Sequence, residues 1–388
     1  MAPYKSIQYR LPGAHDWEPR SAEDDTDASG LNRLREFLLT SLQMHHLSLL
    51  TGSGPSMQVG GPSMRDLWTL CVGEPASDEA KPVLAKVNYG HVETERNIED
   101  LLSRCDAYLQ LFRDEAAVSD FRGRAIAAIV QRCSAVGGRA GHDLGPHKEL
   151  LRRLARRRAR DPRLRLFTTN YDTCFEQAAG ELGLVALDGF SFSQPRRFDP
   201  LFFDYDIVRR SSSVTDAAQY VPGVFQYFKL HGSIDWELTS SGQVVVNAAV
   251  EPSRASIVYP TDQKYRYSFQ QPHLELVAQF LACLRQHNSC LFVVGWGFND
   301  DHLSEPIFSA LEANPHLRVV VCSPNARAHY DGPKTSSWAR IVLLSEQGAD
   351  LAVIQASFAD IVSVIPDIRA LTPGERLERA IQGAVQAS

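Results

Sequence analysis

Five short apolar segments constrain the fold of this chain most strongly, because each of them stops abruptly at small or polar residues. The five ends are Thr51–Gly54, Thr168–Asp172, His231–Ser233, Gly295–Asp300 and Ser323–Asn325. Segments between several of them, such as 172–182 and 272–286, repeat apolar residues three and four positions apart, as amphipathic helices do. Strands that alternate with helices predict the α/β class, and specifically a Rossmann-like, doubly wound parallel sheet with helices on both faces.

The same patterns divide the chain into four parts. Residues 31–65 and 161–370 carry the alternation of strands and helices and form the predicted sheet domain. Residues 66–160 show helical spacing without strand-like alternation, which predicts an inserted helical module. Residues 1–30 are polar and become acidic, which predicts a flexible N-terminal arm, and residues 371–388 are predicted to form a C-terminal helix or tail.

The composition of the 388-residue chain is that of an ordinary globular protein, with 44% hydrophobic and 22% charged residues. The formal net charge of -6 makes direct binding of nucleic acid unfavourable. We interpret the arginine-rich segment 152–160 as a solvated helix face or a subunit contact, with a site for nucleic acid or an acidic partner as the alternative. The seven cysteines never form a C-x-x-C pair, which argues against a disulfide framework and against a zinc site built on such pairs. Neither a signal peptide nor a membrane-spanning segment is recognisable, so we expect a cytoplasmic protein.

The five polar ends predict one ligand-binding cleft. In a doubly wound sheet the carboxyl ends of the strands share one edge, and ligands bind there at the point where the strand order reverses. Gly52 and Gly54 would let the first loop turn tightly and approach a pyrophosphate. The dinucleotide fingerprint G-x-G-x-x-G is incomplete, however, because Met57 occupies the third glycine position.

Three side chains in the second and third loops have the chemistry of an active site. Asn170 and Asp172 both precede a helical pattern, and either one can cap that helix and leave the other for a ligand. His231 lies beside Gly232 at a strand end, where it is either structural or, with an ordinary pKa near ~6.5, able to accept a proton at neutral pH.

Four motifs resemble those of sirtuins and follow one another in sirtuin order. They are "GSGPSMQVGGPSMR" at 52–65, "TTNYDTCFEQAAG" at 168–180, "KLHGSIDW" at 229–236 and "VVGWGFND" at 293–300. "NIEDLL" at 97–102 and "GFNDDHL" at 297–303 look more like the sirtuin-like NADase domains of bacterial anti-phage defence systems. Two features depart from the deacylases: the paired zinc-binding cysteines are absent, and Ser63 replaces an aspartate of the first motif.

The resemblance implies a role for each candidate residue. Asn170 and His231 would be catalytic, and Asp172 would hold the nicotinamide end or position Asn170. The residues that would contact the phosphates and riboses are Gly52, Ser53, Gly54, Gly295, Gly297 and Asn299. Ser56 and Arg65 would belong to a flexible cofactor loop, and Ser323 and Asn325 would lie near the adenosine.

The function that the resemblance implies is NAD glycohydrolysis without a metal ion. NAD would be the substrate, nicotinamide and ADP-ribose the products, and depletion of NAD the effect in anti-phage defence. The resemblance also implies a homo-oligomer and a HerA-type ATPase as partner. Two alternatives stay open: a zinc-free NAD-dependent protein deacylase, and a non-catalytic subunit that binds NAD or ADP-ribose.

Overall fold

A computed structural model describes residues 7–18, 28–90, 96–137, 141–158, 161–210, 219–248, 250–251, 254–257, 271–333 and 335–368. The strands are β1 (Gln8–Arg10), β2 (His46–Thr51), β3 (Arg165–Thr168), β4 (Val185–Leu187), β5 (Val208–Arg209), β6 (Gln219–Tyr220), β7 (Val224–Lys229), β8 (Gly232–Leu238), β9 (Val244–Val246), β10 (Ala255–Ile257), β11 (Ser289–Val294), β12 (Leu317–Ser323) and β13 (Leu351–Gln355).

The α-helices of the described residues begin and end as follows. They are α1 (Ala28–Leu42), α2 (Ser53–Met57), α3 (Met64–Cys71), α4 (Ala80–Lys86), α5 (Ile98–Leu111), α6 (Ala116–Ser134), α7 (Gly145–Leu154), α8 (Cys174–Glu181), α9 (His273–Leu284), α10 (Asp301–Ala313), α11 (Ala326–Asp331), α12 (Ser336–Glu346) and α13 (Phe358–Val364). None of these helices is both long enough and apolar enough to span a membrane.

The main sheet has eight strands in the order β1-β13-β12-β11-β2-β3-β7-β4. All neighbouring pairs are parallel except β1 with β13. The chain runs from β2 to β3 and β7 on one side, and then returns to β11, β12 and β13 on the other. The strand order therefore reverses between β2 and β11, and the predicted α/β class with a doubly wound, mostly parallel sheet is confirmed.

Two apolar clusters cover the two faces of this sheet. Alternate residues of β2 point into different clusters, with Leu47 and Leu49 in the first and Leu50 in the second. Helices α1, α7, α8 and α13 pack on the first face, and α9, α10 and α12 pack on the second. Because the central strands are buried on both faces, they consist of nearly continuous apolar residues, as in β11 with the sequence SCLFVV.

A third apolar cluster belongs to the helical module and extends from Leu67 to Cys133, with Tyr171 added from the loop after β3. The module is thus formed by α3 to α6. Helix α7 falls within the predicted insertion at 66–160, but its Leu150 and Leu154 pack in the cluster on the first face of the sheet. By its packing, α7 belongs to the sheet domain rather than to the module.

The predicted flexible arm is wrong for residues 7–18. Strand β1 pairs with β13 at the edge of the main sheet, and Tyr9 and Trp17 are 1% and 6% exposed. The apolar rings and the backbone pairing together anchor this segment. Residues 1–6 and 19–27 of the arm, and the predicted C-terminal tail at 371–388, lie outside the described residues.

The arginine-rich segment is not a solvated helix face either. Arg157 is 5% exposed, and its guanidinium donates hydrogen bonds to the carbonyl oxygens of Leu42 (3.2 Å), Met44 (2.6 Å) and His45 (3.0 Å). These carbonyls lie where α1 leads into β2, so the side chain satisfies backbone acceptors at a helix end. Arg157 is therefore an internal structural residue.

Candidate active site

The loops after β2, β3, β7, β11 and β12 all leave the same edge of the main sheet, because these five strands are parallel neighbours. Backbone hydrogen bonds continue the pairing beyond the strands. The N–H of Thr169 donates to the carbonyl of Thr51 (3.1 Å), and the N–H of Leu230 donates to the carbonyl of Thr168 (2.8 Å). The polar ends recognised in the sequence therefore line one edge, as a ligand site at a strand-order reversal requires.

The glycines after β2 lie directly against the loop after β11. A Cβ on Gly54 would lie 2.6 Å from the Cα of Gly295, and a Cβ on Gly52 would lie 2.8 Å from the Cα of Trp296. The N–H of Gly54 donates a 2.9 Å hydrogen bond to the carbonyl of Gly295. Close backbone packing at the switch point thus accounts for these glycines, and their contact with a pyrophosphate stays a prediction.

A hydrogen-bonded chain of three side chains joins the first two loops. The amide nitrogen of Asn170 donates to the hydroxyl of Ser56 (2.8 Å), which in turn donates to Oδ2 of Asp172 (2.5 Å). Ser56 and Asp172 are buried, and Asn170 is partly exposed. A donor and a carboxylate at this distance and largely shielded from water form a strong, charge-assisted hydrogen bond. These two hydrogen bonds fix the orientation of the Asn170 amide.

The same contacts show which of Asn170 and Asp172 forms a hydrogen bond with the start of helix α8. Oδ1 of Asp172 accepts a 3.0 Å hydrogen bond from the N–H of Cys174, the first residue of α8. The side chain of Asn170 turns instead toward Ser56. Asp172 thus satisfies an N–H at the helix start, and Asn170 is the member of the pair that is available to a ligand.

A buried lysine forms hydrogen bonds with the backbone of the loop after β3. Lys229 is 2% exposed and its ammonium donates to the carbonyls of Tyr171 (3.2 Å) and Asp172 and to Oε1 of Glu176 (2.9 Å). Burial lowers the pKa of Lys229, but the nearby carboxylates, that of Glu176 first, outweigh it and raise the pKa above its usual value. The lysine is therefore charged and holds two consecutive carbonyls of the loop. Pattern analysis missed it because it reads as the last residue of a strand.

His231 and Asn170 occupy equivalent positions just beyond the ends of the neighbouring strands β7 and β3. Thr168 pairs with Lys229 in the parallel register, and the two site residues each come two positions later. Neighbouring strands lie about 4.8 Å apart, so both residues leave adjacent strand ends. His231 is 3% exposed, and Gly232 after it has φ +85°, with a Cβ position blocked by the carbonyl of Ser256. The turn that places His231 thus requires glycine.

Two further polar residues approach His231 from the loop after β11. The rings of His231 and His302 stack with centroids 5.4 Å apart and planes inclined by 23°. Asp300 brings a carboxylate oxygen into the same group, in which the potential ligand atoms all lie within 4.8 Å of one another. The indole N–H of Trp296 donates to Oδ2 of Asp300 (3.2 Å). Asp300 and His302 lie in the motif "GFNDDHL", but nothing in their sequence pattern marks them as site residues.

The remaining predicted contacts lie apart from this chain of hydrogen bonds. Arg65 is exposed on α3 and pairs with Glu74 at 3.3 Å. Gly297 and Asn299 are exposed in the loop after β11, and Ser53 is exposed at the start of α2. At the end of β12 the N–H of Asn325 donates to the hydroxyl of Ser323 (3.4 Å). Their proposed contacts with NAD stay predictions.

The helical module reaches the site through "NIEDLL". The Asn97 side chain accepts hydrogen bonds from the N–H groups of Glu99 (3.0 Å) and Asp100 (3.2 Å), so it caps α5 as its position suggests. Oε1 of Glu99 accepts a 2.9 Å hydrogen bond from the hydroxyl of Tyr171. Tyr171 lies between Asn170 and Asp172, and the segment therefore has both the capping role and the contact with the cleft.

Comparison with known proteins gives one family match. Residues 164–341 match a family described as SIR2-like domain, a region that includes Asn170, His231 and the loop after β11. No curated protein matches the chain. Among solved structures, a Sir2 homologue in complex with NAD has 13% identity and a TM-score of 0.44 over 86% of this chain and 93% of that chain. A Sir2 homologue in complex with ADP-ribose has 12% identity and a TM-score of 0.44 over 86% and 96%.

Proposed function

We propose that this protein is an NAD glycohydrolase that cleaves NAD to nicotinamide and ADP-ribose. The observation that carries the proposal is the hydrogen-bonded chain of side chains from Asp172 through Ser56 to Asn170, with His231 at the end of the neighbouring strand on the same edge of the sheet. The SIR2-like domain match over residues 164–341 supports an NAD-related activity at this edge. The Sir2 homologue structures contain NAD or ADP-ribose, the substrate and a product of the proposed reaction.

In the proposed reaction water attacks C1′ of the nicotinamide ribose. The bond from C1′ to the pyridinium nitrogen breaks, its electron pair leaves with neutral nicotinamide, and the carbon passes through an oxocarbenium-like state. Asn170, whose amide nitrogen is engaged by Ser56, would use its carbonyl oxygen to orient the water or a ribose hydroxyl. His231 would accept the proton that the water loses. The balance is NAD⁺ and water in, nicotinamide, ADP-ribose and a proton out.

Access to His231 is part of the proposal. Only 3% of this residue is exposed, so the cleft must open before the ribose can reach it. A protein that depletes NAD must be held inactive until it is needed, and a closed cleft provides that state. We assign the opening to homo-oligomer assembly or to a HerA-type ATPase partner.

The proposed biological role is that of an effector in anti-phage defence. The two stretches that resemble such NADase domains are "NIEDLL" and "GFNDDHL". Glu99 of the first contacts Tyr171, and His302 of the second stacks on His231. Both stretches thus approach the proposed catalytic pair.

The test is release of nicotinamide from NAD by the purified full chain, with and without the HerA-type ATPase. We expect release by the wild type, and background values for Asn170→Ala and His231→Ala. His316→Ala is the matched control, because His316 is an exposed histidine immediately before β12, at the edge of the sheet opposite to Asn170 and His231. Release that depends on an acylated peptide would favour a deacylase. Binding of ADP-ribose without turnover in any preparation would favour a non-catalytic subunit.

A further inference from the structure

We propose that His231, Asp300 and His302 form a binding site for a divalent transition-metal ion, for which zinc is the best match. Binding of the metal does not depend on the proposed function. The regulatory consequence does rest on it: an ion held by His231 would stop NAD cleavage. The site is distinct in residues and in place from a zinc site made of paired cysteines, because its ligands lie at the carboxyl edge of the sheet.

The geometry is close to that of a bound site. The three potential ligand atoms lie within 4.8 Å of one another. Zinc binds imidazole nitrogen and carboxylate oxygen at about 2.0–2.2 Å, so two ligands of a tetrahedral ion are separated by about 3.3–3.6 Å. The largest of these separations must therefore shorten by up to about 1.5 Å, shared between two side chains, to close the group around an ion. Among the described residues, this is the group of three side chains with suitable spacing.

The ligand chemistry also favours a transition metal. Two imidazoles and one carboxylate suit zinc, whereas calcium and magnesium prefer oxygen ligands alone. The carboxylate of Asp300 has a supporting donor, since the indole N–H of Trp296 contacts its Oδ2 at 3.2 Å. Such outer contacts orient metal ligands. His302 is only partly buried, so a water molecule can complete a four-coordinate ion.

The elements that carry the ligands place them independently of a metal. His231 is held by the turn after β7, Asp300 directly precedes α10, and His302 is the second residue of that helix. The carbonyl of Asp300 accepts hydrogen bonds from the N–H groups of Leu303 (3.0 Å) and Ser304 (2.9 Å). The helix start therefore fixes the backbone of two ligands, and a site that is largely formed before binding loses less free energy in ordering.

Competing zinc ligands are poor elsewhere in the described chain. All seven cysteines are free, and burial raises the pKa of each thiol, which keeps it protonated at neutral pH. Zinc requires the thiolate. The rings of His287 and His316 also lie 4.8 Å apart, but that pair lies outside any described group of three suitable ligands. It provides a matched control.

The consequence for the reaction follows from the coordination bond. A metal uses the electron pair of an imidazole nitrogen, and that nitrogen can no longer accept a proton from water. Zinc is thus expected to act as a reversible inhibitor rather than as a catalytic ion.

The binding experiment uses the full-length wild type, His302→Ala, Asp300→Asn and the control His316→Ala. Titration calorimetry with Zn²⁺, and the visible absorption of added Co²⁺, report the site directly. We expect one strong site in the wild type and in His316→Ala. Because loss of an outer contact alone weakens metal binding ~10–100-fold, loss of a ligand should weaken it at least that much. Equal affinity in all four proteins would overturn the proposal.

The activity experiment separates this inference from the proposed function. Each protein's nicotinamide release with Zn²⁺ is divided by its own rate after treatment with a chelator. Zinc is expected to inhibit the wild type and His316→Ala but not His302→Ala. Should NAD cleavage be absent throughout, the function is wrong and the cobalt spectra still decide the metal site. Should NAD be cleaved and no metal bind, only the metal site is wrong. Thermal melting verifies that the variants are folded. If His302→Ala does not fold, Asp300→Asn replaces it in both experiments.

Discussion

Replacement of Ser56 by alanine tests the hydrogen-bonded chain on which the proposed reaction depends. The hydroxyl donates to Asp172 at 2.5 Å and accepts from Asn170 at 2.8 Å. Ser56 and Asp172 are only 5% and 7% exposed, so water cannot readily replace the lost donor. Ser56→Ala therefore leaves a buried carboxylate with one partner fewer and releases the Asn170 amide.

The expected losses of stability and of reaction rate in Ser56→Ala follow from these contacts. A hydrogen bond to a charged group contributes about 1.5–3 kcal/mol when its partner is left buried. With an unfolding entropy of about 2.1 cal/mol/K per residue and 388 residues, a loss of about 2 kcal/mol lowers Tm by about 2–3 °C. The effect on the rate is expected to be larger, on the order of 100-fold, because a misplaced positioning group costs that much.

The assay combines thermal melting with nicotinamide release well below Tm. Ser53→Ala is the control for folding, because Ser53 lies in the same helix and is exposed, and its Tm should stay within the effect of an ordinary surface change. If Ser56→Ala melts like Ser53→Ala and releases nicotinamide at the wild-type rate, then the hydrogen-bonded chain neither stabilises the loop nor positions Asn170, and the reasoning is refuted.

Three further predictions concern stability. Gly54→Ala should cost about 1–3 kcal/mol, because its Cβ would lie 2.6 Å from a backbone Cα of the loop after β11; Gly180→Ala, in open space within α8, should instead stabilise by up to about 1 kcal/mol in a denaturant titration. Burial lowers the pKa of His147 from 6.5 to about 4, so its contribution to stability is complete above pH ~6.5 and is lost as the pH falls toward ~4. His147→Phe should remove up to about 3 kcal/mol of this acid dependence, and an unchanged pH profile of Tm would contradict it. Arg157→Ala should cost about 3 kcal/mol through its buried carbonyl partners, whereas exposed Arg158→Ala should leave the chemical denaturation midpoint nearly unchanged.

The sequence was sufficient to predict the parallel strands that carry the site, because their apolar runs are long and end at recognisable polar loops. Two strands on one side of the sheet could not be predicted in this way. Strand β1 has only three residues, QYR, and becomes a strand through its pairing with β13. The run LAVIQ of β13 has no alternation, and periodicity alone cannot distinguish such a buried strand from a helical segment.

The site was predictable as a set of loops but not as a set of contacts. Asn170 and Ser56 are 114 positions apart, and their hydrogen bond depends on the register of β2 with β3. His302 reaches His231 only because α10 begins at Asp301, a boundary that a sequence pattern defines poorly. The close contacts that account for Gly54 and Gly52 are with Gly295 and Trp296 of another loop, which no local pattern reveals.

Tyr171 links the helical module directly to the proposed active site. Its neighbours Asn170 and Asp172 belong to the proposed site, whereas its own ring is 7% exposed among the apolar side chains of the module and its hydroxyl is bonded to Glu99. Displacement of α5 must therefore either break the hydrogen bond between Tyr171 and Glu99 or move the backbone segment that carries Asn170. If the proposed NAD cleavage takes place at this site, a partner that docks on the outer surface of the module would in this way alter the rate from a distance, without competing with NAD for space.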